Sequence, residues 1–206
     1  LTAGRKYLGA TSSRENNLPR VEDGGVYQTS EKGIKRTQGT PYGYFIGGNG
    51  GSSIVDRVDY GNDTPTALVR SNLDTNTEQF GTIGNTLYGY ICGNAGSYSK
   101  VLRIDYSSDT TTASTRGPLS TIRGNMGGAS TSSYGWLGGG YQSGVTRTTV
   151  DRVDFSNDIV TAVEKGPLSS ARGNGGGAGN NNYGWFTAGQ TPSAYTSTVD
   201  RIDYSN

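Results

Sequence analysis

Aspartate and arginine recur together at fixed spacing in this sequence, and they are the first residues to weigh for chemistry. Asp56, Arg57 and Asp59 stand in Val-Asp-Arg-Val-Asp-Tyr, and Arg103 and Asp105 return in Val-Leu-Arg-Ile-Asp-Tyr. Asp151, Arg152 and Asp154 form the third copy, and Asp200, Arg201 and Asp203 the fourth. A further Asp follows in three copies, at Asp63, Asp109 and Asp158. Calcium takes carboxylates from turns, but its loops bring several within a dozen residues around a Gly bend. Here the carboxylates alternate along an extended segment, so neighbours face opposite ways and need not converge. No metal is expected. A pair such as Asp105 and Asp154 has the residue types for acid–base work on a glycosidic bond. Each copy repeats the same Asp, however, whereas a catalytic centre departs from the repeat that carries it.

The chain has no His, which removes Ser-His-Asp triads, Cys-His dyads, imidazole bases and His-ligated zinc. Its single Cys, Cys92, takes a Gly or aliphatic position in an apolar segment and reads as a small buried hydrophobe. One Cys also excludes an intrachain disulfide framework. The glycine runs 47–51 and 173–179 lack the Lys-Ser/Thr ending of a phosphate loop. No catalytic residue and no cofactor is expected. Asp56, Arg57, Arg103, Asp105, Asp151, Arg152, Asp200 and Arg201 read instead as structural, forming a ring of ion pairs between successive units.

Positioning these residues falls to an internal repeat. Tyr42-Gly43-Tyr44-Phe45-Ile46 returns at Tyr88, Tyr134 and Tyr183, in steps of 46, 46 and 49 residues. Arg116-Gly117-Pro118-Leu119-Ser120 returns as Lys165-Gly166-Pro167-Leu168-Ser169, with a worn copy from Arg70 to Leu73. The units run 42–87, 88–133 and 134–182, with a partial one at 183–206 and a degenerate one over 1–41. Each breaks into about four short segments rich in aromatic and β-branched residues. Turn residues separate them: Gly61-Asn62-Asp63, Ser156-Asn157-Asp158 and the Gly-Pro pairs. No segment carries a 3.6-residue apolar period, so helix is excluded. The fold class is all-β, with four-stranded antiparallel units.

The repeat spacing varies at one place. From Tyr to Arg the interval is 15, 15, 18 and 18 residues, while the other intervals stay constant. All length variation therefore lies in the loops joining strands two and three: 49–53, 94–99, 141–148 and 190–197. Variable loops on a constant scaffold are where binding usually resides. Tyr98, Tyr141, Arg147 and Tyr195 are the candidate contacts, since Tyr offers a flat apolar face and a hydroxyl.

The order Pro-Leu-Ser-x-x-Arg, a small-residue strand, Tyr-Gly-Trp with Gly-Gly, and Val-Asp-Arg-hydrophobic-Asp-Tyr resembles the kelch repeat. That resemblance covers 42–206 and implies a propeller-like array of kelch-type blades. The late Trp of a kelch unit is absent; Thr112-Ala113 and Thr161-Ala162 stand near its place. Copper-dependent kelch oxidases need His ligands, which this chain lacks. The pattern Asp-Arg-hydrophobic-Asp-Tyr-Ser-Asn-Asp, approximated in each copy, and the Gly-Pro-Leu-Ser segments together also resemble repeats in virion structural and tail-fibre proteins of marine bacteriophages. That likeness implies a non-catalytic structural or receptor-binding component of a virion. Its partners would be other virion proteins or a host-surface receptor or glycan, with a homo-oligomer compatible. A secreted or cell-surface bacterial binding propeller is the alternative, and a glycan-active enzyme comes third.

Composition supports a folded chain. The 34 Gly lack collagen's three-residue period, and 14 Tyr, 4 Phe and 2 Trp are too many aromatics for a disordered tail. A net charge of +1 gives no footprint for nucleic acid or an anionic membrane. No apolar run reaches the roughly 20 residues of a membrane-spanning helix. Four to five visible units imply a small ring or further blades beyond the termini; a solenoid or stacked sandwich of the same units is the alternative architecture.

Overall fold

The computed structural model describes residues 9–12, 42–48, 50–62, 64–94 and 98–205. It is all-β, built from several antiparallel sheets of two to four strands. The first sheet orders β1 (Gly9–Ser12), β2 (Tyr42–Ile46), β3 (Ser52–Asp59) and β4 (Leu68–Thr77). The second orders β5 (Gly81–Gly84), β6 (Tyr88–Asn94), β7 (Tyr98–Asp105) and β8 (Ser114–Arg116). In the third, β9 (Gly127–Ser130) and β10 (Tyr134–Gly138) pair with β13 (Val150–Asp154) and β14 (Val163–Lys165). A small hairpin, β11 (Tyr141–Gln142) and β12 (Val145–Thr146), interrupts it. The last sheet holds β15 (Gly176–Gly179), β16 (Tyr183–Thr187) and β17 (Val199–Asp203).

Each sheet opens on a small-residue strand lying before the Tyr-Gly element, one strand earlier than a unit counted from Tyr. In the first sheet that place is taken by Gly9–Ser12, inside the segment expected to be a degenerate copy. The rest of that copy lies outside the described residues. The register repeats from sheet to sheet: Phe45 faces Asp56, Ile91 faces Leu102, Leu137 faces Asp151 and Phe186 faces Asp200. The described residues hold one helical turn, a 3-10 turn at Tyr106–Ser108 after β7.

The core lies between consecutive sheets rather than inside any one of them. Tyr44, Ile46, Val55 and Leu73 of the first sheet pack on Ile91, Leu102, Ile104 and Tyr106. Ile83, Tyr90, Cys92 and Val101 of the second pack on Leu137, Val153 and Phe155. Ala129, Trp136 and Val150 of the third then meet Phe186, with Ile202 and Tyr204 packed alongside. The second and third sheets are thus covered on both faces. Their central strands accordingly read as apolar runs, such as Tyr-Ile-Cys in β6, and not as strict alternation.

The first strands of successive sheets approach backbone to backbone. A Cβ on Gly128 would sit 2.0 Å from the carbonyl oxygen of Thr82, and one on Gly177 would sit 2.2 Å from that of Gly128. Only glycine permits this contact.

Candidate functional site

The repeated charges form three separate sets. In the first, a guanidinium reaches across to the neighbouring sheet. Arg57 lies 2.8 Å from Asp109, which Arg70 also engages at 3.0 Å. The Tyr44 hydroxyl donates to the same carboxylate at 2.9 Å. The next interface repeats the arrangement: Arg103 lies 2.8 Å from Asp158, and the Tyr90 hydroxyl donates to it at 2.9 Å. Aromatic stacking accompanies both, Tyr44 on Tyr106 and Tyr90 on Phe155, each with centroids 4.8 Å apart. At the third interface Trp136 stacks on Tyr204 at 3.8 Å. The strand-three Arg also lies over the Tyr opening its own unit: Arg57 on Tyr42, Arg103 on Tyr88, Arg152 on Tyr134 and Arg201 on Tyr183.

The second set binds the connection entering a sheet to its third strand. Arg123 and Asp151 are both fully buried and 2.9 Å apart. Arg123 also donates to the carbonyls of Gly139 and Leu137, while Ser120 donates to Asp151 from its amide and hydroxyl. Arg172 and Asp200 repeat the pair at 2.6 Å, with the Ser169 amide donating to Asp200. Asp56 holds the corresponding place in the first sheet, fully buried. In the second sheet the place belongs to Leu102, and the position equivalent to Arg123 belongs to Thr77, both buried. Both members of the pair change together, as expected when either charge alone would be left buried without its counterion.

The third set closes turns. Asp105, Asp154 and Asp203 accept from the amide and hydroxyl of Ser107, Ser156 and Ser205.

The residues expected to form one ring of pairs instead divide their labour. Arg57 and Arg103 pair across sheets, and Asp151 and Asp200 pair with Arg123 and Arg172. Asp105 closes a turn, Arg152 and Arg201 lie over Tyr134 and Tyr183, and Asp56 is buried in the first sheet. The reason is the two-residue period: Asp151 and Arg152 leave the strand on opposite faces, so they serve different neighbours. The carboxylates that receive Arg57 and Arg103 are Asp109 and Asp158, in the turns after β7 and β13. Burial opposes the ionisation of Asp109, but hydrogen bonds from Arg70, Tyr44 and Arg57 outweigh it and hold its carboxyl below the ordinary range. Asp200 is likewise held low, burial being outweighed by Ser169 and Arg172. Among the described residues, no three His, Cys, Asp or Glu side chains are grouped to hold a metal ion. No helix there is long and apolar enough to cross a membrane. Cys92 is fully buried, and burial pushes its thiol up.

The candidate binding residues separate. Tyr141 and Tyr195 line one open cleft of about 830 Å³. Tyr195 is 86% exposed. Tyr98 is not among the lining residues; it begins β7 and hydrogen-bonds the Thr77 hydroxyl. Arg147 turns to the side-chain oxygen of Gln142 at 3.0 Å and does not line the cleft either.

The loops reach the cleft through defined local structure. Tyr141–Gln142 and Val145–Thr146 form a hairpin turning at Ser143 and Gly144, both with positive φ, as the two-residue type I′ turn requires. A bridge between Gly124 and Tyr141 anchors this loop, and one between Gly173 and Gln190 anchors the last. Leu119 and Leu168 donate to the Ser99 and Thr148 carbonyls, which sets these loops beside the Pro118 and Pro167 segments. Asn49 and 95–97 lie outside the described residues.

Among the cleft residues not singled out as candidates from sequence are Gln79, Asn125 and Asn174. They occupy equivalent positions in consecutive units, all with left-handed backbone at φ 54°, 55° and 58°. Asn125 donates its amide to the Gln79 carbonyl at 2.7 Å, and Asn174 to that of Asn125 at 2.9 Å. The available signal was Arg123-Gly124-Asn125 repeated as Arg172-Gly173-Asn174, since Asn tolerates that backbone conformation.

No family model and no curated protein matches this chain.

Proposed function

We propose that this chain is a non-catalytic structural or receptor-binding component of a phage virion, of tail-fibre or decoration type. Its units would form a propeller-like array of kelch-type blades that binds through the loops between strands two and three. The cleft is the observation that carries the binding reading, because Tyr141 and Tyr195, from loops of different units, line it together. Sheets packed face to face, with glycine-mediated contact between their first strands, support the propeller-like arrangement. The virion assignment rests on the likeness of the Asp-Arg-hydrophobic-Asp-Tyr-Ser-Asn-Asp pattern and the Gly-Pro-Leu-Ser segments to marine phage repeats. The carboxylates support a non-catalytic role, because Asp105, Asp109, Asp154 and Asp158 are each engaged in a turn or an inter-sheet pair. Partners are neighbouring virion proteins or a receptor on the host surface. Gold-labelled antibody raised against 134–206 should mark tails or capsids of purified particles. Label confined to bacterial envelopes would favour the cell-surface binding alternative.

A further inference from the structure

We infer that the cleft is a subsite row for a linear, uncharged oligosaccharide, with Gln79, Asn125 and Asn174 reading successive sugar rings; this rests on the binding reading above and names its ligand class. None of the side chains lining the cleft is charged. They supply instead the side-chain amides of Gln79, Asn125, Asn174 and Gln190, and the hydroxyl of Thr191. Amides and hydroxyls both donate and accept, which is the complement a sugar hydroxyl needs.

The spacing points the same way. The three residues are joined rung to rung by the amide–carbonyl bonds from Asn125 to Gln79 and from Asn174 to Asn125. Backbones bonded in this way stand about 5 Å apart, close to the length of one pyranose ring in a chain. Each rung is held in a left-handed conformation that costs a non-Gly residue energy, and such conformations gather at ligand clamps. Gln79 and Asn125 are half-buried and Asn174 is exposed, so all three keep surface to offer a ligand. Tyr141 and Tyr195 border the same space and supply faces on which the apolar side of a sugar ring can stack. A polyanionic glycan would find no cation in the lining.

The test uses the full chain on an array of homo-oligosaccharides from two to six residues, built on glucose, galactose, mannose and N-acetylglucosamine. Uronic-acid and sulfated counterparts of the same lengths stand beside them. Binding should appear on at least one neutral series and rise tenfold or more from disaccharide to tetrasaccharide, then level off. Asn125→Gly and Asn174→Gly remove the amide while retaining the backbone conformation, and each should weaken that binding at least tenfold with the melting temperature unchanged. Binding confined to anionic chains, no binding to any neutral series, or undiminished binding by both variants would overturn the inference. Tyr195→Ala separates it from the broader reading. If that change abolishes attachment to cells or particles while Asn125→Gly does not, the loops bind a protein and the sugar row is wrong. If neither change matters to attachment, both fall.

Discussion

Replacing Asp151 by Leu would leave the Arg123 guanidinium fully buried without its counterion, keeping the Gly139 and Leu137 carbonyls as partners. Breaking a buried pair from one side costs about 3–5 kcal/mol. For a protein of this size that lowers the melting temperature by about 6–20 °C, at roughly 2–4 °C per kcal/mol. The second sheet already contains the alternative, with Leu102 in the place of Asp151 and Thr77 in the place of Arg123, both buried. Combining Asp151→Leu with Arg123→Thr removes both charges and transplants that solution. The double variant should therefore be more stable than Asp151→Leu alone, with a coupling of at least about 2 kcal/mol. Urea titration followed by the fluorescence of Trp136 and Trp185 measures all four corners of the cycle. Single costs that simply add, within about 0.5 kcal/mol, would refute the view that the two positions change as a unit.

Three further outcomes follow from the same contacts. Gly128→Ala drives a Cβ into the Thr82 carbonyl at 2.0 Å and should cost about 2 kcal/mol or more, while Gly166→Ala meets nothing within 4 Å and should stay within about 0.5 kcal/mol by the same titration. Asp109 and Asp200 titrate lower when folded than when unfolded, so their contribution is complete above the ordinary Asp value near pH ~4 and is lost as pH falls through their folded values. Melting temperatures taken from pH 6 to 2 should decline below about pH 4, and Asp109→Asn should flatten that decline. Cys92, fully buried with its thiol pushed up, should ignore a thiol-exchange reagent at pH 8 until urea unfolds the chain, then react once.

Much of the architecture was legible because it depends on local, repeated signals. Alternating aromatic and β-branched residues between Asn, Asp and Gly turns identify strands without knowledge of their neighbours. The double coverage of Tyr90 and Cys92 could be anticipated from the apolar run that holds them. Partner choice was harder, because Arg57 finds Asp109 in the following unit and Arg123 finds Asp151 across a chain reversal. Strand periodicity gives the face on which a side chain leaves, but not which carboxylate stands opposite. In the cleft, Tyr141 and Tyr195 were reachable from loop-length variation. Tyr98 and Arg147 were not separable from them, since a hydrogen bond to Thr77 or Gln142 leaves no trace in spacing. Gln79 escaped notice because its neighbours in the worn copy no longer match Arg-Gly-Asn, and its role appears only once backbone bonds join it to Asn125.

The most direct test is the attachment of the full chain to its particle or cell surface, compared with Tyr141→Ala and Tyr195→Ala combined. Both side chains stand at an open cleft, and Tyr195 is 86% exposed, so folding should be unaffected. Attachment reduced at least tenfold, at an unchanged melting temperature, is the predicted result. Full attachment by the double variant would contradict a binding function for these loops.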